Sequence, residues 1–154
     1  MSFSGEISAT YRPAATDPEL SGPKVDTKFL ATGKMTGGDF GLFQWDMRPA
    51  AGGPAAHYHK TFSESFYVLD GKVRLFDGAN WVTAVKGDYL YVPPNGIHAF
   101  RNESDEFASM LILFAPGPPR ERYFTELAEI RTSGRQLSDE EFTEFLAGHD
   151  QYMV

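Results

Sequence analysis

From Lys24 onward the hydrophobic positions come in short runs rather than long ones. Stretches rich in Phe, Tyr, Val, Leu and Trp are separated by turn-forming residues at Thr36-Gly37-Gly38-Asp39, Arg48 to Pro54, Asp70-Gly71, Asp77-Gly78-Ala79-Asn80, Lys86-Gly87-Asp88 and Pro93 to Gly96. Strands of about five or six residues, with a turn every ten or so, predict an all-β sandwich or small barrel. Asp70-Gly71 and Asp77-Gly78 have the composition of hairpin turns. Met110, Ile112 and Phe114 alternate with Leu111, Leu113 and Ala115, so this strand is apolar on both faces. It is expected to be covered on both, by helices or by a second subunit.

Around Arg120 the period changes. Tyr123 or Phe124, Leu127 and Ile130 recur at helical spacing within Glu121 to Ile130. Ser138-Asp139-Glu140-Glu141 reads as a capping box, and Phe142, Phe145 and Leu146 give the helix behind it one apolar stripe. The expected organisation is an irregular arm over residues 1–23 (with Pro13, Pro18 and Pro23), a barrel over 24–118, and two short C-terminal helices over 119–154 packing on that barrel.

Composition narrows the partners. A chain of 154 residues with 42% hydrophobic and 14% aromatic positions suits one globular domain with a real core. A formal net charge of -7 without a basic stripe argues against nucleic acid. There are no cysteines, which excludes disulfides, thiol nucleophiles and zinc-finger sites. The segment Met1 to Glu6 lacks the basic start and apolar stretch of a signal peptide. The longest purely apolar run, Met110 to Ala115, is too short to span a bilayer. A cytoplasmic protein bound to neither membrane nor nucleic acid is expected.

Three of the four histidines fall in two short segments, His57-Tyr58-His59 with Glu64 close behind, and His98 further on. Imidazole and carboxylate are ligands for first-row divalent metals. On a strand, His57 and His59 point the same way. Glu64 is an odd number of residues from His59, so Lys60-Thr61-Phe62-Ser63 must contain a turn or bulge that resets the parity. Phe66 and Val68 then share the face of Glu64, while His98, Phe100 and Asn102 share a face in the second segment. Ser63 and Ser65 read as turn and strand positions, and His149 as a structural or surface residue.

This spacing resembles the cupin superfamily. The first cupin motif reads here as Gly52, Gly53, His57, His59, Glu64 and Gly71, with the opening glycines slightly closer to His57 than usual. The second reads as Gly87, Pro93, His98 and Asn102, with Asn95 in the usual glycine slot and Gly96 after it. Residues 72–86 separate the two motifs, the spacing of small single-domain cupins, and the resemblance covers roughly 24–120. Phe29 to Gly33, Thr36 to Gly38 and Phe114 to Gly117 with Tyr123-Phe124 are similar to bacterial single-cupin proteins, quercetinase-like ones among them. The resemblance implies a double-stranded β-helix (jelly-roll) barrel, commonly a homodimer, with His57, His59, Glu64 and His98 holding one divalent ion: iron, nickel, manganese, cobalt or zinc. It does not carry a substrate with it.

A centre of three histidines and one glutamate is expected to serve a dioxygenase. A small aromatic, enol or diketone substrate would chelate the metal and react with dioxygen, and Glu64 would exchange a proton with its hydroxyl. Phe40, Phe66, Tyr91, Phe100 and Phe114 are the expected lining of its pocket. The alternatives are non-oxidative isomerisation, cyclisation or lyase chemistry at the same metal, or ligand binding without turnover. Lys60, Lys72, Arg74, Lys86 and Arg101 form no evident phosphate clamp, so nothing in the motifs points to a sugar phosphate.

Overall fold

A computed structural model describes residues 7–154, so the first six residues of the expected arm lie outside the described residues. From residue 7 the chain is irregular up to β1 (Leu20–Ser21). β2 (Val25–Ala31), β3 (Gly41–Met47), β4 (His57–Tyr58), β5 (Ser63–Asp70), β6 (Lys72–Phe76), β7 (Trp81–Val85), β8 (Tyr89–Val92), β9 (Ala99–Arg101) and β10 (Ala108–Ala115) follow. Then come α1 (Arg120–Thr132), α2 (Asp139–Gly148) and β11 (Tyr152–Met153). The architecture is the all-β jelly-roll barrel with two short helices that the strand rhythm and motifs predict. The short final strand has no counterpart in the sequence reading.

One wall is a six-stranded sheet in the order β1-β2-β3-β10-β5-β8; the other combines the sheet β7-β6-β9 with the ribbon β11-β4. An isolated antiparallel bridge between His57 and His98 joins the last two pieces. Asp77-Gly78 closes the β6–β7 hairpin, where Phe76 faces Trp81. Asp70-Gly71 does not close a hairpin. β5 pairs with β10 and β8, and β6 with β7 and β9, so this dipeptide passes the chain from one wall to the other. Gly71 has φ +70, and a Cβ there would stand 2.3 Å from the Phe107 carbonyl oxygen. A corner and a hairpin thus ask for the same residue, and local composition does not separate them.

Strand alternation fills the space between the walls. Across the larger sheet, Phe29 faces Phe43, Phe43 faces Ile112, Ile112 faces Phe66 and Phe66 faces Leu90. The adjacent row runs Phe114, Glu64, Val92, so the one buried carboxylate among the described residues sits in register with core residues. Phe43, fully buried, is the hub, with edge-on contacts to Phe29, Phe114 and Phe124 at centroid distances of 5.3, 5.7 and 5.1 Å. Phe124 comes from α1, whose inner face closes the space beside β3. On the outer face Leu111 and Leu113 are half-buried, while Tyr67, Tyr89 and Tyr91 are exposed.

α2 begins with the predicted capping box: Ser138 accepts from the Glu141 amide and Glu141 accepts from the Ser138 amide. Burial and caps act on different scales. Phe43→Ala should cost about 3–5 kcal/mol of unfolding free energy, and Ser138→Ala about 1 kcal/mol, both read from urea titrations. A Phe43→Ala loss no larger than that at Ser138 would contradict the placement of the core on this row.

Candidate metal centre

His57 opens β4 and His59 follows it; Glu64 is the second residue of β5, and His98 immediately precedes β9. Backbone pairing brings the two segments together. The His57 amide donates to the His98 carbonyl at 3.1 Å and the His98 amide to the His57 carbonyl at 2.9 Å. Directly opposed residues send their side chains to one face, and the two rings lie with centroids 4.3 Å apart. The His59 ring joins them, 4.9 Å from that of His57. A second tie runs from the Asn95 amide to the His59 carbonyl at 2.6 Å. Asn95 has φ +70, a left-handed conformation that asparagine tolerates better than most residues, so its place in the usual glycine slot leaves the turn intact. The glycine of the first motif has a steric reason: a Cβ on Gly53 would fall 1.9 Å from the Phe100 carbonyl oxygen.

The chain bends at Lys60-Thr61, which resets the strand parity and turns Glu64 inward. The Asp150 carboxylate holds this bend, accepting from the Lys60 and Thr61 amides at 2.8 and 2.9 Å and from the Thr61 hydroxyl at 2.5 Å. One donor atom from each of His57, His59, Glu64 and His98 then lies within 4.8 Å of the others, and the four residues are 2, 3, 4 and 0% exposed.

The imidazole tautomers follow from the outer contacts. Nδ1 of His57 donates to the Ala55 carbonyl at 2.8 Å, Nδ1 of His59 to the Asp150 carbonyl at 2.6 Å, and Nδ1 of His98 to the Gly96 carbonyl at 3.0 Å. A carbonyl only accepts, so each Nδ1 carries the hydrogen and each neutral ring presents the bare Nε2 to the centre. Glu64 Oε2 stands 3.0 Å from Nε2 of His59 and 2.6 Å from Nε2 of His98. These contacts would set lone pair against lone pair unless a proton or a cation lies between them. A proton is one solution: burial lowers the pKa of His98, but the Glu64 charge and hydrogen bond outweigh it and hold the value above 6.5. Burial likewise pushes Glu64 up, yet the charge of His98 and the bonds from both histidines hold it well below the usual carboxylate range. His57 is lowered to about 4 by burial and by the neighbouring charge of His98. A divalent ion is the other solution. Three inward Nε2 atoms and one carboxylate, dry and braced from outside, fit such an ion.

The expected lining divides. Phe66, Phe100 and Phe114 are 0, 5 and 1% exposed; Phe66 lies 5.9 Å from the His98 ring, and Phe114 is the cross-strand partner of Glu64. Tyr91 is 54% exposed and opposite Ser65 on the outward face, away from the imidazoles, because its parity on β8 is the reverse of Val92, the partner of Glu64. Phe40 is 38% exposed in the turn before β3, where strand parity does not apply. Asn102 braces a loop: its side-chain nitrogen donates to the Met47, Arg48 and Glu106 carbonyls.

Phe62 was not among the expected residues, yet its ring stacks on His59 at 4.4 Å and 25°. It lies inside the parity-resetting bend, where no periodic pattern exists. Arg120, Asp150 and Gln151 were also missed, being outside both motifs. His149 is structural, its Nε2 2.7 Å from Glu126 Oε2.

Comparison with known proteins agrees with this arrangement. The family model described as the cupin domain (Cupin_2) matches residues 43–114, which run from within β3 to almost the end of β10 and include all four clustered residues. Quercetin 2,3-dioxygenase of Bacillus subtilis is 29% identical over 113 residues, covering 73% of this chain but only 33% of that protein. The chain therefore spans about a third of the length of this curated relative. Among solved structures, KdgF from Halomonas sp. superposes with a TM-score of 0.64 at 16% identity, over 75% of this chain and 99% of its own. A cupin-superfamily sugar phosphate isomerase from Silicibacter pomeroyi gives 0.54 at 26% identity, over 62% of this chain and 61% of its own.

A metal ion entering this cluster would have to displace any proton held between His98 and Glu64. The sign follows: a raised His98 pKa means protons compete harder as pH falls. The apparent cobalt affinity, measured against a competing chelator, should drop about tenfold per pH unit below the His98 pKa, with about one proton released per ion. An affinity independent of pH from about 5.5 to about 8 would contradict the assignment of His98 as a ligand.

Proposed function

We propose that this chain, which resembles the cupin superfamily in its motifs, its family-model match and its fold, is a metal-dependent oxygenase of the quercetinase kind, acting on a flat enol, phenol or 1,3-dicarbonyl compound. The observation that carries this reading is the set of three outward Nδ1–H bonds, which leave three Nε2 lone pairs and the Glu64 carboxylate converging in a dry interior. His57, His59, Glu64 and His98 would hold the ion. Once bound, it would supply Lewis acidity toward a chelating oxygen and, for a redox-active metal, one-electron chemistry with dioxygen.

The protein's own groups divide the remaining work. Glu64 is the single anion of the cluster and the residue to take a substrate hydroxyl proton. Burial pushes its basicity up, while the charge of His98 and the bonds from His98 and His59 hold it down. Phe62, Phe66 and Phe114 exclude water and offer apolar surface to a planar substrate. Among the described residues, Arg120 is the one buried Lys or Arg, and its terminal nitrogens are committed to His149 and Gln151. That leaves little to grip a phosphate, which weighs against a sugar-phosphate substrate.

Protein loaded separately with iron, nickel, manganese or cobalt, and offered flavonols and 1,3-diketones in an oxygen electrode, should consume dioxygen in a metal-dependent way. Glu64→Gln should slow this by about a hundredfold or more. Product formation under strict anaerobiosis would replace the oxygenase reading with a non-oxidative isomerase, cyclase or lyase. Saturable binding without turnover for every metal would replace it with a binding module.

A further inference from the structure

Arg120 is the most unusual residue outside the four-residue cluster. It is 4% exposed, and no carboxylate among the described residues forms an ion pair with it. Its guanidinium lies 4.1 Å from the Tyr123 ring centroid, and between 5.3 and 5.5 Å from those of Phe62, Phe114 and Phe124. Its Nε is buried without a hydrogen-bond partner. A cation so placed is costly to bury, and an apolar side chain would fill the same aromatic surroundings without that cost. Its two remaining contacts indicate what it does. Nη1 donates to the His149 carbonyl at 2.9 Å and Nη2 to Gln151 Oε1 at 3.0 Å.

These contacts bracket Asp150. That residue has φ +54, a conformation that needs outside support in a residue other than glycine. Its carbonyl takes the Nδ1 hydrogen of His59 and its carboxylate caps the bend at Lys60-Thr61. Beyond it, β11 pairs with β4, Tyr152 facing Tyr58 and Met153 facing His57. The histidines differ in one respect. His57 and His98 give their Nδ1 hydrogens to carbonyls two residues away, whereas His59 reaches one 91 residues away. The orientation of His59 is the one that local chain geometry does not secure.

We propose that Arg120 is a positioning residue for His59: by gripping His149 and Gln151 it fixes Asp150 between them, and the Asp150 carbonyl sets the tautomer and aim of the His59 ring. The inference rests on the metal-centre reading for its affinity readout alone; the tautomer readout needs neither metal, substrate nor dioxygen.

The test uses full-length, metal-free protein with nitrogen-15-labelled histidine, at a pH where the rings are neutral. In the wild type all three cluster histidines should appear as the Nδ1–H tautomer. Arg120→Met should convert His59 to a mixture of tautomers, leave His57 and His98 unchanged, and weaken cobalt binding about 10- to 100-fold. Arg120→Lys, whose single ammonium can keep one of the two acceptors, should restore part of both. Gln151→Leu removes one acceptor and leaves the arginine in place, so it carries the test if Arg120→Met does not fold; it should shift His59 in the same direction by less. A His59 tautomer unchanged in the folded variants would overturn the proposal. So would all three histidines shifting together, which would mark general loosening; a shifted His59 tautomer with cobalt affinity equal to the wild type would support the brace and count against the metal-centre reading.

Discussion

Glu64 imposes the constraint around which the barrel is organised. A carboxylate 4% exposed, in a row between Phe114 and Val92, has lost almost all of its water. Such a group survives only with cationic or hydrogen-bonded partners. The partners are imidazoles, and their Nδ1 hydrogens are already directed outward, so what they offer inward is lone pairs. The interior therefore favours one positive species, a proton or a cation, at its centre. That preference couples the charge of the cluster to the packing around it.

Meeting it depends on backbone more than on side chains. The reciprocal His57–His98 amide bonds close the gap between the two motifs, and the Asn95 amide ties the second turn to the His59 carbonyl. Each motif segment holds the other, so strand pairing aims the His57 and His98 rings, while the Asp150 carbonyl aims that of His59. Preorganisation of this kind lowers the cost of assembling a site. The aromatic shell contributes in turn: Phe62 against His59 and Phe66 against His98 keep water away from contacts that would weaken in a polar medium.

Much of this can be read along the chain. The turn punctuation announces an all-β body, Ser138 to Glu141 announces α2, the spacing of His57 and His59 announces a shared face, and the motif resemblance adds Glu64 and His98. What the chain does not display is where regularity stops. Phe62 lies within the bend that resets parity. Tyr91 lies on an outward position that composition does not distinguish from an inward one. Gly71 is required at a corner between sheets as it would be in a hairpin. In each case the local signal is compatible with two geometries, and neighbouring strands choose between them.

The sequence by itself determined the residue types in each motif, their spacing and the alternation that puts His57 and His59 on one face, because these depend on residues within a few positions of one another. The tertiary structure decided the tautomers, the bend, the face of each aromatic residue and the brace from Arg120 through Asp150 to His59. Those depend on hydrogen bonds such as the one from His59 to Asp150, across 91 residues. No periodic pattern encodes a contact of that span; it exists only once the helices have returned the chain to the barrel.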